Sequence, residues 1–456
     1  MAQSRYPVAL YSGTNVYSVT YTAGWDGPHL IDDGMLDDQW TPQRNGWGYS
    51  ADGYAYWVQT ETSSNDLEVW KNSAGNWIVN SGSWSVVNST ETDNYETVDV
   101  HSRKNWLWII QQIDAVISPF SFDCKNNSIT DILTGPNTVE NDNYSFTLTS
   151  LLQGAIHYAF IRAEGDNITY AAQMPEGKMG VEGTLVDSTH SNPAIISDNG
   201  HRLWVFYSSG TTIQYSIQDT DPMQEEWVDN VEVYTIVDNF NGQYNVCHRP
   251  EDDTMHMALV DYAGGPYVRS YGTEYDIIVA DTAFEQFTIA GNHAAEFGIG
   301  VTFEVNGSTA NDGDWTVTGV FFNLTNTVIS VSGDITDGTA DGKIKAYTLV
   351  ASYNFSLKYL RRTPNGWTTT ILDTWNLNSG SLTTAQTTRI TPQITSSPTG
   401  IMIYNLEYNA DTTINLNYYY LDGYSAPSVL GSWLSGTVDS GTQAWEGICA
   451  PENWPI

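Results

Sequence analysis

Residues 198–227 decide how this chain is read. Asp198-Asn-Gly-His-Arg-Leu-Trp-Val-Phe206 is a polar turn running into an apolar strand, Ile213-Gln-Tyr215 is a second short strand, and Trp227 closes the unit. Asp, Asn and Gly supply the turn, and β-branched and aromatic residues in short alternating runs supply the strands. The phrase recurs as Asp52-Gly53 to Trp57, with Leu67, Trp70 and Trp77 following, and as Arg103-Lys-Asn105 to Trp108. It returns as Gln153-Gly154 to Tyr158, then Ile168-Thr-Tyr170; as Asp252-Asp253 to Met257; and as Pro398-Thr-Gly400 to Ile403, then Leu416, Tyr418 and Trp433. The anchors Trp57, Trp108, Tyr158, Trp204 and Met257 are 51, 50, 46 and 53 residues apart. A four-stranded antiparallel blade takes about 40–50 residues, so the spacing predicts an all-β chain folded as a β-propeller. Radial stacking would bury the aromatic faces without helices and leave only short edges.

The step from Met257 to Ile403 is 146 residues, which predicts an inserted small β-domain. Anchors near Val19, Trp57, Trp108, Tyr158, Trp204, Met257 and Ile403 give a seven-bladed propeller; eight blades is the alternative count. The expected division is 1–281 for the first part of the propeller, 282–346 for the insert, and 347–456 for the remainder and a C-terminal tail. Tyr347–Val350, Phe355–Leu360 and Gly366-Trp367 are expected to complete the sixth blade. Tyr6–Tyr11 is expected to close the ring against the last.

The chain has 456 residues, with 17 Lys+Arg against 53 Asp+Glu and a net charge of −36. Charged residues are 15% of the chain against a usual ~25%, so the imbalance reflects missing bases. Gripping nucleic-acid phosphates needs clustered Lys and Arg, and docking on anionic lipid needs the same; neither is expected. No stretch reaches the ~18 apolar residues of a membrane helix, and Met1-Ala-Gln-Ser-Arg-Tyr-Pro carries no apolar signal region. Cys124, Cys247 and Cys449 are far apart and odd in number, so buried free thiols are expected rather than a disulfide framework or zinc site.

Thr189-His-Ser-Asn-Pro-Ala-Ile-Ile-Ser-Asp-Asn-Gly-His-Arg-Leu-Trp-Val-Phe206 resembles the BNR-repeat, sialidase-like propeller superfamily, in which an Asn-Pro-Ala-Ile strand leads to an Asp-x-Gly turn and an aromatic strand. Arg389-Ile-Thr-Pro-Gln-Ile394 before Gly400 repeats it in part. The superfamily's Asp-box, Ser-x-Asp-x-Gly-x-Thr-Trp, is absent; in the nearest stretch, Ser308 to Trp315, Gly313 stands two residues before Trp315 rather than three. Val305-Asn-Gly-Ser-Thr-Ala-Asn-Asp-Gly-Asp-Trp-Thr-Val317 resembles a small β-domain common in phage tail and virion proteins, which implies a virion setting. Physically, Asn311-Asp-Gly313 is expected to be a tight hairpin turn with glycine at positive φ.

The superfamily resemblance implies arginines gathered on a sugar carboxylate, for which Arg103, Arg202, Arg249 and Arg389 are candidates. A sugar lyase would instead use His and Tyr beside a uronate. His190 and His248 stand at the heads of expected inner strands, with Tyr207 and Tyr262 on the strands that follow. Were the chain an enzyme, His190, His248, Arg249 and Arg389 would carry the chemistry. Structural bonding to the blade backbones is the competing role for the same side chains. Trp25, Trp40, Trp47 and Tyr424 lie in turn-rich stretches and are candidates for a glycan platform, since aromatic faces stack on sugar rings. No metal site or cofactor is assigned. Asp32-Asp33, Asp37-Asp38, Asp219-Thr-Asp221 and Asp252-Asp253 offer oxygen ligands to Ca²⁺, but none follows the Asp-x-Asp-x-Asp-Gly pattern.

The expectation is a non-enzymatic, structural or receptor-facing component of a phage virion, tail-associated in its setting and extracellular as part of the particle. It would work by assembly with other virion proteins and by binding glycan or protein at the host surface, as a homo-oligomer. The alternative is a polysaccharide-active enzyme, a lyase or glycosidase, on a sialidase-like propeller.

Overall fold

The computed structural model describes residues 6–12, 15–21, 25–33, 46–61, 66–75, 82–90, 97–113, 116–131, 136, 139–148, 156–162, 167–173, 179–186, 190–218, 227–235, 244–264, 268–350, 352–378, 392–397, 399–408, 414–422, 433–440 and 447–450. Among them every regular element is a strand, and no helix is long and apolar enough to cross a membrane. The strands form seven four-stranded antiparallel sheets, consistent with a propeller, and one closed six-stranded barrel. The chain divides into two compact units, one holding the four-stranded sheets and one, Gly264–Tyr353 with Asn376–Leu382, holding the barrel.

The period of about 50 residues has a physical origin in the first unit. Trp57, Trp108, Tyr158, Trp204, Met257 and Ile403 each lie on the second strand of a sheet. Those strands are buried on both faces: Ala55–Thr60 and Ile156–Ile161 expose almost nothing. One face packs within the unit against the preceding sheet and the other against the following one. Tyr56, Val58 and Leu67 share a core with Val98, Leu107 and Phe122 of the next sheet. Ile110 and Ile117 of that sheet join Phe146, Tyr158 and Phe160. Ala159 and Tyr170 meet Ile195 and Tyr207, and Trp204 and Phe206 meet Met255, Met257 and Leu360. A buried side chain of this size contributes about 1.5–3 kcal/mol, so the stabilisation resides between sheets.

The two ends of the chain meet in one sheet. Tyr6–Ser12 pairs with Asn15–Tyr21 on one side and with Gly447–Cys449 on the other, with Ala9 opposite Cys449. The expectation that Tyr6–Tyr11 closes against the last blade is therefore corrected. The C-terminal strand leads the first sheet, and Tyr6–Ser12 is its second strand. This shifts the phase by one strand, so Val19 sits on a third strand, opposite Val8, and is not the equivalent of Trp57.

The barrel runs in the order Val268–Asp281, Gln286–Ala290, Asn326–Val331, Gly313–Phe322, Thr302–Asn306, Lys343–Val350 and back. Its chain lies between Thr254–Gly264 and Ser352–Thr363, the second and third strands of one four-stranded sheet. It takes in more than 282–346, and Tyr347–Val350 belongs to it rather than to the sixth sheet. Phe287, Ile289, Phe297, Phe303, Val305, Ile329 and Ile344 fill its core.

The 305–317 motif is structural there. Gly313 has φ +142, yet the turn is not tight, because Val305 pairs with Gly313 and residues 306–312 loop between them. Asn311 is buried; its Nδ2 donates to Asp337 O (2.7 Å), and its Oδ1 accepts from Thr336 N and Asp337 N (3.1 and 3.2 Å). Ser308 Oγ donates to Asp341 (3.0 Å), Thr309 Oγ1 donates to the same carboxylate, and Trp315 Nε1 donates to Asn311 O (3.0 Å). A Cβ on Gly342 would lie 2.8 Å from Ser308 N, which keeps that position free of side chain.

Candidate functional site

A group of titratable side chains stands where three hairpins end: residues 198–202, 250–253 and 363–366 of the fifth and sixth sheets. The first hairpin is built by Asp198, whose side chain is almost fully buried. It accepts from Arg202 N (2.9 Å), from the Arg202 guanidinium (2.7 Å) and from Trp204 Nε1 (3.1 Å). This is the physical content of the Asp-x-Gly turn: one carboxylate fixes the turn and aims the aromatic anchor. Asn199 then reaches the next sheet, donating from N to Asp253 (3.0 Å) and from Nδ2 to Pro250 O (2.5 Å).

In the second hairpin, His248 Nε2 bonds Asp253 at 2.9 Å, and Arg249 Nη1 donates to Asp252 at 3.0 Å. Arg361, arriving from the third strand, donates to the same Asp252 oxygen (3.2 Å). Burial alone would raise the Asp253 pKa, but the Asn199 N–H, His248 and Arg202 outweigh it and hold it below the ordinary carboxylate range. Behind this rim lies His256, which the sequence reading did not single out. Burial, with Arg361, Arg249 and His248 adding to it, pushes its pKa well below the ordinary imidazole value. The ring is therefore neutral and carries one N–H.

Its partners fix which nitrogen holds the proton. Thr254 Oγ1 donates to Asp252 (2.5 Å), so it accepts from His256 Nε2 (2.6 Å). His256 Nδ1 must then accept from Tyr359 OH (2.7 Å), whose pKa burial raises. The result is a directed chain from Tyr359 through His256 and Thr254 to Asp252. Neutral His beside protonated Tyr is the pairing that a proton-abstracting lyase needs, but His256 and Tyr359 are 2% and 1% exposed, out of reach of a polysaccharide. A second such pair, His157 Nδ1 with Tyr170 OH (2.7 Å), has its rings stacked in the same way. His157 and His256 each stand one residue before an anchor, Tyr158 and Met257. Superposing the repeats on their anchors is the signal that would have found them.

Other candidates do not join this group. His190 opens its strand and packs edge-on to Tyr207 (5.1 Å). Tyr244 OH donates to Asn192 O (2.6 Å), so the two leading strands start side by side, and His248, near the end of its strand, lies at the other end from His190. Tyr207 is buried with its OH on Ser216, and Tyr262 packs on Phe355. Arg202 and Arg249 each hold a different carboxylate and do not converge; Arg103 ends the leading strand of the third sheet. Arg389, Trp40 and Tyr424 lie outside the described residues.

The platform assignment of Trp47 is corrected. It is 1% exposed and packs against Trp57 (5.2 Å) and Trp84. Trp25 is half-buried, and its ring meets Tyr418 (5.0 Å) and Tyr404 (6.0 Å) of the seventh sheet, joining that sheet to the first. Cys124 and Cys247 are buried free thiols. Of the acidic turns, Asp32 accepts from Gln59, and Asp252 and Asp253 are bonded as above; Asp37-Asp38 and Asp219-Thr-Asp221 lie outside the described residues. Among the described residues no group of three or more His, Cys, Asp or Glu side chains is arranged to hold a metal ion.

No protein-family model matches the chain, and no curated protein matches it. Solved structures similar to it include a protein from Lactobacillus plantarum, at 10% identity and a TM-score of 0.46, covering 98% of this chain and 100% of that one. An ulvan lyase of polysaccharide lyase family PL25, bound to -[GlcA(1-4)Rha3S]-, is 11% identical with a TM-score of 0.41, covering 90% and 86%. The SapL1 lectin in complex with alpha methyl fucoside is 12% identical with a TM-score of 0.39, covering 56% and 84%. These similarities assign this chain neither a family nor an activity.

Proposed function

We propose that this chain is a non-catalytic binding and assembly protein: a seven-bladed propeller carrying an inserted barrel, serving as a receptor-facing component of a phage virion. It would contact other virion proteins and a host-surface glycan or protein, as a symmetric homo-oligomer. One observation carries the non-catalytic reading. The His, Arg and Asp side chains of the hairpin cluster bond one another, and the His–Tyr pair fit for acid–base work is buried. The virion setting is supported by the resemblance of Val305–Val317 to virion modules. Mass spectrometry of purified virions tests it: the protein is expected among the particle's structural components, and its absence there would overturn the setting.

The second reading, a polysaccharide-active enzyme, is favoured by His248, whose imidazole is held by the 43%-exposed carboxylate of Asp253 with two arginines beside it. A screen on acidic and neutral polysaccharides separates the two. No new reducing or unsaturated ends are expected. Cleavage that disappears in His248→Ala and Arg249→Ala would establish the enzyme.

A further inference from the structure

Where the fifth and sixth sheets meet over Trp204, hydrogen-bond donors stand without acceptors. Ser352–Thr363 and Gly366–Asn378 are neighbouring strands joined by Pro364-Asn365 alone. A two-residue turn sets Arg362 opposite Trp367, and side chains directly opposite in an antiparallel pair share one face. Both reach the fifth sheet: the Arg362 guanidinium lies over the Trp204 ring (4.5 Å), and Trp367 meets Phe206 edge-on (5.9 Å). Both are half-buried, so the place opens to solvent. Among the described residues Arg362 makes no hydrogen bond and no ion pair. A guanidinium laid on an aromatic ring uses its face and leaves its N–H groups free in the plane. Trp367 adds one more donor, since its Nε1 is buried and has no acceptor. A buried donor left unsatisfied costs about 1–3 kcal/mol.

A shortage of carboxylates is not the reason. The chain holds 53 Asp+Glu for 17 Lys+Arg, yet all four carboxylates of the three hairpins are engaged elsewhere. Asp198 takes Arg202 and Trp204 Nε1; Asp252 takes Arg249, Arg361 and Thr254; Asp253 takes His248 and the Asn199 N–H; Glu251 stands 3.9 Å from Arg249. Arg202, the other cation over the Trp204 ring (5.8 Å), is the one paired with Asp198. The Arg362 fork and the Trp367 indole therefore offer donors alone. A cation is refused by such a set, and a neutral hydroxyl satisfies one donor at a time. An oxyanion accepts several at once, two of them through the planar arginine fork. The net charge of −36 repels a polyanion, so the fitting ligand carries a single oxyanion group on an otherwise uncharged body.

We infer that Arg362 and Trp367 form a binding site for one oxyanion group, a carboxylate or a sulfate, at the hairpin end of the sixth sheet. The site rests on the binding reading above and gives the charge of the ligand and the place where it lands. Neither residue is among the arginines and aromatics that the sequence offered for a ligand.

The test follows the Trp367 indole N–H by NMR in the full chain carrying ¹⁵N-labelled tryptophan, its signal identified by its loss in Trp367→Phe. Sodium galacturonate, sodium sulfate, galactose and sodium chloride are titrated at matched ionic strength. A saturable shift is expected with galacturonate, with sulfate or with both, half-complete at about 1–10 mM, and none with galactose or chloride. Galacturonate alone would assign the site to a carboxylate, and sulfate alone to a sulfate. Arg362→Gln should weaken the binding at least about tenfold. Arg362→Lys, which keeps the charge and loses the fork, should weaken it by less. Thermal melts matching the parent chain exclude misfolding as the cause. No saturable shift with either anion, an equal shift with chloride, or unchanged binding in a folded Arg362→Gln protein overturns the inference. Each of those results leaves the virion setting standing, since mass spectrometry of the particles decides that independently.

Discussion

At the scale of single residues the chain depends on polar groups placed where no water reaches them. Asp198 serves three donors from a nearly buried position. Asp198→Ala would leave the Arg202 amide and the Trp204 indole N–H without their acceptor and should destabilise the protein by about 2–4 kcal/mol in urea unfolding. A loss under ~0.5 kcal/mol would show that the turn holds without it. Burial depresses the His157 pKa to about 4. A folded pKa below the unfolded one gives stability that is complete above about pH 6.5 and declines as pH falls toward 4. The full loss is about 3 kcal/mol for this residue, and His256 acts in the same direction. His157→Phe should therefore be less stable than the parent at pH 7, because Tyr170 loses its acceptor, but should lose less between pH 6.5 and 4. Urea midpoints at the two pH values check this; equal pH slopes would contradict it.

At the scale of strands and sheets, the sequence is informative where a side chain is set by its own strand and silent where it is set by a neighbour. The anchors from Trp57 to Ile403 fall on second strands because a strand buried on both faces needs large apolar residues at a fixed place in each repeat. Val19 departs from the pattern because its sheet borrows a strand from the far end of the chain, and no local signal announces that. Trp47 looks exposed in its turn-rich surroundings, but Trp57 on the neighbouring strand covers it, and Trp25 is half-buried against Tyr418 of another sheet. In the cluster, His248 and Arg249 were legible from their place before a turn; Arg361 and Tyr359 were not, since they arrive about a hundred residues later. The borrowed strand gives an element-scale prediction. Truncation after residue 446 removes the pairing partner of Ala9–Tyr11 and uncovers a strand edge. The melting temperature should fall by more than ~3 °C with increased aggregation; an unchanged melt would mean that the pairing contributes nothing.

At the scale of the molecule, a chain poor in bases and rich in aromatics is stable because its cores lie between sheets, each sheet lending one face to each neighbour. Such a scaffold needs no disulfide for folding, and Cys124 and Cys247 are buried free thiols. Gly264 ends the second strand of the sixth sheet and Ser352 begins the third, and the two strands pair directly. Replacing residues 265–351 by a four-residue Gly-Asn turn should therefore yield a folded protein with a cooperative melt. Precipitation or loss of the β-type circular dichroism would show that the barrel is required for the rest to fold.

Ring closure through the chain ends is the claim on which the propeller reading stands, and a disulfide reads it directly. Ala9 lies opposite Cys449, at a separation that a bridge between paired antiparallel strands can span. Oxidised Ala9→Cys protein, digested and examined by mass spectrometry, should show the introduced thiol joined to Cys449 within one chain. A link only between two chains, or no link with the protein folded, would contradict closure.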